Sequence, residues 1–221
     1  MPFFIDTNVA FGYSVIHDKW HEKANNFINN NTNSLFWSNL VQQEYSNKFD
    51  DVLDDINHYL DSIESILENN HQDFSSYQDF EKFIIKKTPH TNLDGFKKRK
   101  ILENFWFNAN FNYGISESIY LNFLGYKSTF NRIYFKRDEK LYQIVNLHDC
   151  GLNNYLKYLD YANIIHDWGI HVPDCKIIVD AHDCALENMN LKFVSYDVKM
   201  IKRLKEKDTS FLKIHEFVSL S

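Results

Sequence analysis

Four acidic residues stand where a carboxylate is either costly or useful. Asp6 ends the short apolar run Phe3-Phe4-Ile5, and Asp197 follows the run Lys192 to Ser195. Each pattern predicts a buried strand with an acid at its C-terminal end, the edge where open α/β sheets gather ligands. Glu44 shares an apolar helical stripe with Val41, Tyr45 and Ile56, where an unpartnered charge is unfavourable. Asp174 follows Pro173 at the start of another helical pattern. On a wheel of about 100° per residue, Ile177, Ile178, Ala181 and Ala185 fall within about 60° of Asp174, so it begins the buried stripe. The same wheel turns Asp180 and Asp183 away from that stripe, to about 240° and about 180°, which makes them weaker candidates.

Taken singly, Asp6, Asp174 and Asp197 are explained as helix caps or turn residues, and Glu44 as the partner of Lys48. Gathered in one place they are not. Neighbouring carboxylates repel one another unless they are protonated or neutralised by a cation. An all-oxygen donor set without His or Cys suits Mg²⁺ or Mn²⁺.

The elements that must position these acids are legible along the chain. Trp20, Ala24, Phe27 and Ile28 predict a helix over His17–Asn30, and a polar Asn run then precedes a second strand, Ser34–Trp37. Ser38 is placed to cap a helix of about thirty residues, whose stripe continues through Val52, Tyr59, Leu60, Ile63 and Leu67. Further helices are expected from Leu152 to Trp168, Pro173 to Met189 and Val198 to Lys207, with a closing strand from Leu212 to Leu220. Strands alternating with helices predict a parallel α/β sheet. Residues 71–150 are less regular and are expected to form a mainly helical insertion.

A hydrophobic content of 44% supports a packed core. No apolar stretch approaches the roughly 20 residues of a membrane span, and no secretory leader is expected at the N-terminus. Cys150, Cys175 and Cys184 are odd in number and lack metal-type spacing, as expected of reduced thiols in a cytoplasmic protein. The net charge of −6 conceals an asymmetry. Twelve Lys and Arg against five Asp and Glu between Lys82 and Lys140 make that stretch +7, which leaves −13 on the remainder.

The ordered set Phe3-Phe-Ile-Asp-Thr-Asn8, Ser38-Asn-Leu-Val-Gln-Gln-Glu44, Asp174-Cys-Lys-Ile-Ile-Val-Asp-Ala181 and Phe193-Val-Ser-Tyr-Asp197 resembles the PIN-domain nucleases. The resemblance implies a three-layer α/β/α sandwich with a central parallel sheet. It implies a catalytic core from residues 1–70 and 151–221, interrupted by the basic, aromatic insertion at 71–150. Asp6, Glu44, Asp174 and Asp197 match the family's acidic tetrad, and Thr7, Asn8 and Ser195 its small polar positions near the metal; Asp180 is kept as a secondary polar candidate.

The activity so implied is hydrolysis of RNA phosphodiesters through Mg²⁺ or Mn²⁺ held by the tetrad. Compact members of the family include toxins of toxin–antitoxin pairs, so an antitoxin or a second copy of the chain is the protein partner it suggests; the long insertion argues mildly against the toxin form. Lys97, Lys98, Arg99 and Lys100 are candidates for RNA phosphates, with Trp106, Phe107, Tyr134 or Phe135 as stacking surfaces, although most of these aromatics are expected in the core. Two other classes remain open: a catalytically silent RNA-binding or scaffold protein of this fold, and a structure-specific DNA nuclease. A haloacid-dehalogenase-like phosphatase is disfavoured, because the position two residues after Asp6 holds Asn8 rather than Asp. His17 and His21 have a spacing that can hold zinc, but without a third ligand they are expected to be a surface pair on one helix.

Overall fold

The computed structural model describes residues 1–88 and 91–221. In chain order its elements are β1 (Phe3–Ile5), α1 (Thr7–Ser14), α2 (His21–Asn30), β2 (Leu35–Ser38), α3 (Asn39–Glu68), α4 (Tyr77–Lys87), α5 (Gly95–Asn108) and α6 (Ser116–Ile144). There follow β3 (Val145–His148), a 3-10 helix (Asn154–Tyr158), α7 (Leu159–Asp167), α8 (Val172–Glu187), β4 (Lys192–Ser195), α9 (Val198–Lys205) and β5 (Glu216–Ser219). Among the described residues, no helix is long and apolar enough to cross a membrane.

The chain divides into two compact units: Met1–Val15, Trp20–Lys48 and Arg137–Ser221 form the first, and Ile16–Lys19 and Phe49–Lys136 the second. These boundaries differ from those expected at residues 70 and 150. The long helices α3 and α6 each contribute residues to both units, and β3 joins the sheet although it lies in the stretch expected to be insertion.

The first unit is α/β. Its five strands are all parallel, in the order β3-β2-β1-β4-β5. Phe4, Ile5, Phe193 and Val194 are fully buried, as continuous apolar strands in a parallel sheet should be. Phe4 and Phe193, paired in register, stack at 6.2 Å. Strand order runs outward from β1 to β3 in one direction and from β4 to β5 in the other, so the chain switches direction between β1 and β4. The predicted cap is present: the Val41 amide donates to Ser38 Oγ at 3.3 Å, and α3 runs thirty residues as its stripe requires. Gly169, with φ of 78°, ends α7 in the left-handed conformation that glycine tolerates, and Pro173 lies in the first turn of α8. Cys175 and Cys184 share α8, and all three cysteines are free.

The second unit is built on aromatic packing. Phe80, Phe105, Trp106, Phe123, Phe130 and Tyr134 are buried, with edge contacts such as Phe105 on Phe123 at 5.2 Å. Of the proposed stacking residues, Trp106 and Tyr134 are therefore core, while Phe107 and Phe135 are exposed. His17 corrects a second expectation. The helix begins at His21, and His17 is buried in the second unit, with Nδ1 2.7 Å from Tyr134 Oη and Nε2 2.9 Å from Asn104 Nδ2. His21, in the first unit, hydrogen-bonds the Gly12 carbonyl at 2.9 Å. The two are not a pair on one helix.

The basic block is largely answered by its own surroundings. Lys97 sits between Asp18 at 3.2 Å and Asp94 at 2.7 Å, with only 13% of its side chain exposed. Burial opposes its charge, but the Asp94 hydrogen bond and the Asp18 charge outweigh that and hold its pKa above the ordinary value. Lys98 lies over the Tyr59 ring, Lys100 pairs with Glu103 at 2.7 Å, and the more exposed Arg99 lies 3.5 Å from Glu81. Lys97→Met removes a largely buried cation from both Asp18 and Asp94 and is expected to cost more in urea unfolding than a solvated pair does. Lys100→Met, at a solvated pair, is expected to cost less than about 1 kcal/mol. Equal losses for the two would contradict this assignment.

Candidate active site

The switch between β1 and β4 brings together the C-terminal ends of two buried strands, and open α/β sheets form their binding crevices at such a point. Asp6 leaves the end of β1 and is 3% exposed. It occupies the N-cap position of α1, yet its side chain makes no cap hydrogen bond. Its Oδ2 instead accepts from Ser195 Oγ at 2.7 Å and from Asn8 Nδ2 at 3.4 Å. Ser195, fully buried at the end of β4, also accepts from the Asp197 amide at 3.0 Å.

The other acids arrive from helices. Glu44, half-buried in the second turn of α3, accepts from Thr7 Oγ1 at 2.8 Å and pairs with Lys48 at 2.6 Å. Asp197 caps α9, accepting from the Met200 amide at 2.9 Å. The simple cap reading therefore holds for Asp197 and fails for Asp6. Asp174 sits half-buried in the first turn of α8 and accepts no hydrogen bond from the described residues.

Electrostatics couples Asp6 to Asp174 and Glu44, and Asp174 to Asp197 and Glu44. Burial pushes the Asp6 pKa up to about 6; the Ser195 hydrogen bond opposes this, and the charges of Asp174 and Glu44 reinforce it. Burial also raises Asp174, with the charges of Asp197 and Glu44 adding to it and those of His171 and Lys48 opposing. Among the described residues there is no group of three or more His, Cys, Asp or Glu side chains that could hold a metal ion. The side chains present are oxygen donors of the kind a hard cation takes, and burial, reinforced by neighbouring charges, disfavours ionisation of Asp6 and Asp174. Mg²⁺ commonly takes one or two direct carboxylates and keeps its remaining waters.

Asp180 and Asp183 belong elsewhere. The wheel turned Asp180 away from the buried stripe, but it is 2% exposed, because Asn154 of the 3-10 helix and the ends of β2 and β3, at Ser38 and His148, meet that other face of α8. Its Oδ1 accepts from Asn154 at 3.1 Å, and burial raises its pKa. Asp183 accepts from His148 and Lys157, each at 3.0 Å, and from Tyr158; burial opposes its charge, and these bonds hold its pKa below the usual range. Neither is among the groups that perturb Asp6 or Asp174. His171, whose charge acts on Asp174 from three residues earlier, escaped the sequence reading, its only signal being that proximity.

Comparison with protein-family models, curated proteins and solved structures returns no match.

The Asp6 environment has a thermodynamic consequence. With a folded pKa near 6 against an ordinary 3.8, the folded state retains a proton that the unfolded state releases. This stabilisation is present below about pH 4, is lost between about pH 4 and 6, and is absent above. Asp6→Asn does not titrate. In EDTA it is expected to exceed the wild type by about 3 kcal/mol at pH 7–8, and the gap should close as pH falls through that window. Unfolding melts from pH 4 to 8 measure it, and a gap independent of pH would refute the assignment.

Proposed function

We propose that this chain is a PIN-like nuclease, dependent on Mg²⁺ or Mn²⁺, that hydrolyses RNA phosphodiesters at the Asp6 site. The observation that carries this reading is the buried Asp6 at the sheet's switch point, coupled electrostatically to Asp174 and Glu44, with Asp197 coupled to Asp174. Asp6, Glu44, Asp174 and Asp197 are the residues that would hold the ion. When bound, it supplies a Lewis acid to the phosphodiester and a water activated near neutral pH.

The chain's own residues then have distinct tasks. Ser195 orients the Asp6 carboxylate, and Thr7 orients Glu44. Asp174, free of hydrogen bonds from the described residues, is available to an ion or its waters. Lys48 balances the charge of Glu44. The choice of RNA over DNA rests on the family resemblance; so does the toxin form with an antitoxin partner. One observation favours the catalytically silent alternative: Glu44 is already satisfied by Thr7 and Lys48 within the protein.

Labelled RNA and single-stranded DNA, incubated with Mg²⁺ or Mn²⁺, separate these readings. The wild type is expected to cleave RNA, Ser195→Ala to lose about 10–100-fold as an orienting partner, and Asp6→Asn to lose at least as much. Mg²⁺ should also raise the melting temperature of the wild type and not of Asp6→Asn. Cleavage unaffected by Asp6→Asn would falsify the site, binding without cleavage would favour the silent protein, and cleavage of DNA alone the DNA nuclease.

A further inference from the structure

The helix that delivers Glu44 carries a second, different surface in the first unit. Asn39, Gln43 and Asn47 follow one another at intervals of four along α3, and Gln42 and Ser46 form a parallel row. With Tyr142 and Leu152 they line an open groove of about 540 Å³. Asn39 is engaged: its side chain donates to Asp149 and accepts from the Gly151 amide, both at 2.9 Å, which pins the chain on the groove's far side. The side chains of Gln42, Gln43, Ser46 and Asn47 have no hydrogen-bond partner among the described residues. The Tyr142 ring is braced edge-on by Trp37 at 5.1 Å and Tyr45 at 6.2 Å, and remains 39% exposed.

The chemistry of this groove is narrow. No Lys or Arg lines it, so it offers no ion pair to a phosphate. Its apolar content is one ring and one leucine, too little for the aromatic and aliphatic anchors of a protein hot spot. Side-chain amides donate and accept at once, the pattern that pairs with base edges, and a fixed aromatic face stacks on a base. Gln43 adjoins Glu44 in sequence, and Asn47 lies one turn beyond it, where i,i+3 side chains are neighbours on a helix surface.

We propose that this groove reads the bases of single-stranded RNA: Gln42, Gln43 and Asn47 bond base edges, and Tyr142 offers a stacking face beside the acidic site. The proposal rests on the nuclease reading, since it assigns that site's substrate selectivity to the neighbouring face of the same helix turns.

The test uses full-length Asp6→Asn protein, so that RNA survives, with Mg²⁺ and labelled single-stranded homopolymers of A, C, G and U followed by fluorescence anisotropy. The parent is expected to prefer one base type. Adding Gln43→Ala and Asn47→Ala, both exposed, is expected to weaken the preferred polymer about tenfold and level the four affinities, with the salt slope unchanged because no charged side chain is removed. A parent with no base preference, a preference that survives the double substitution, or a loss seen only as a shallower salt slope would each overturn the groove assignment. Wild-type cleavage, measured separately, keeps the outcomes apart. Cleavage with an unaltered base preference sinks the groove and spares the nuclease. Selective binding that is lost in the double variant, without cleavage by the wild type, supports the groove as a base reader and sinks the nuclease.

Discussion

The burial of one carboxylate, Asp6, constrains the whole first unit. It stands at the end of β1, between β2 and β4, where the strand order reverses, and is 3% exposed. A carboxyl group taken out of water needs hydrogen bonds or a neutralised charge. β4 meets part of that need through Ser195, whose hydroxyl donates to Asp6 while accepting from the Asp197 amide. One side chain thus couples the ends of two strands and sets where Asp197 begins α9. The register of β1 with β4, pairing Ile5 with Val194, is what brings Ser195 level with Asp6.

A second dependence runs through α3. Ser38 starts this helix at a defined residue, and a helix turns about 100° per residue, so the start decides the facing of everything after it. Glu44 meets Thr7 of α1, while Val41 and Tyr45 enter the core. The same phase leaves Gln43 and Asn47 exposed to solvent. A shift of one residue at the cap would exchange these roles, replacing an acid by an amide at the buried face.

The second unit illustrates why local charge is a poor guide to surface potential. Its four consecutive basic residues look like a phosphate-binding patch in one dimension. In three, a helix separates them by about 100° steps, so each meets a different neighbour: Asp18 and Asp94, the Tyr59 ring, Glu81, and Glu103. The aromatic richness of the same stretch likewise serves mainly its core, where flat rings fill space by edge contacts.

The boundaries of β1, β4 and α3, the Ser38 cap and the places of the four acids on their strand ends and helices were legible in the sequence, because each depends on spacing within a few residues. Apolar runs mark strands, and the 3.6-residue period marks a helix wherever it is unbroken. Three things were decided only by tertiary structure. Asp180 was turned away from the buried stripe of α8, and the 3-10 helix with the ends of β2 and β3 buried it there. His17 was assigned to a helix surface and became a core residue bonded to Tyr134 and Asn104, 117 and 87 positions away. Asp6 was placed at a strand end by its sequence, but the Ser195 hydroxyl that holds it comes from 189 residues further on. Periodicity records which side chains share a face; it carries no record of what will be packed against that face, and burial, partnering and pKa follow from the latter.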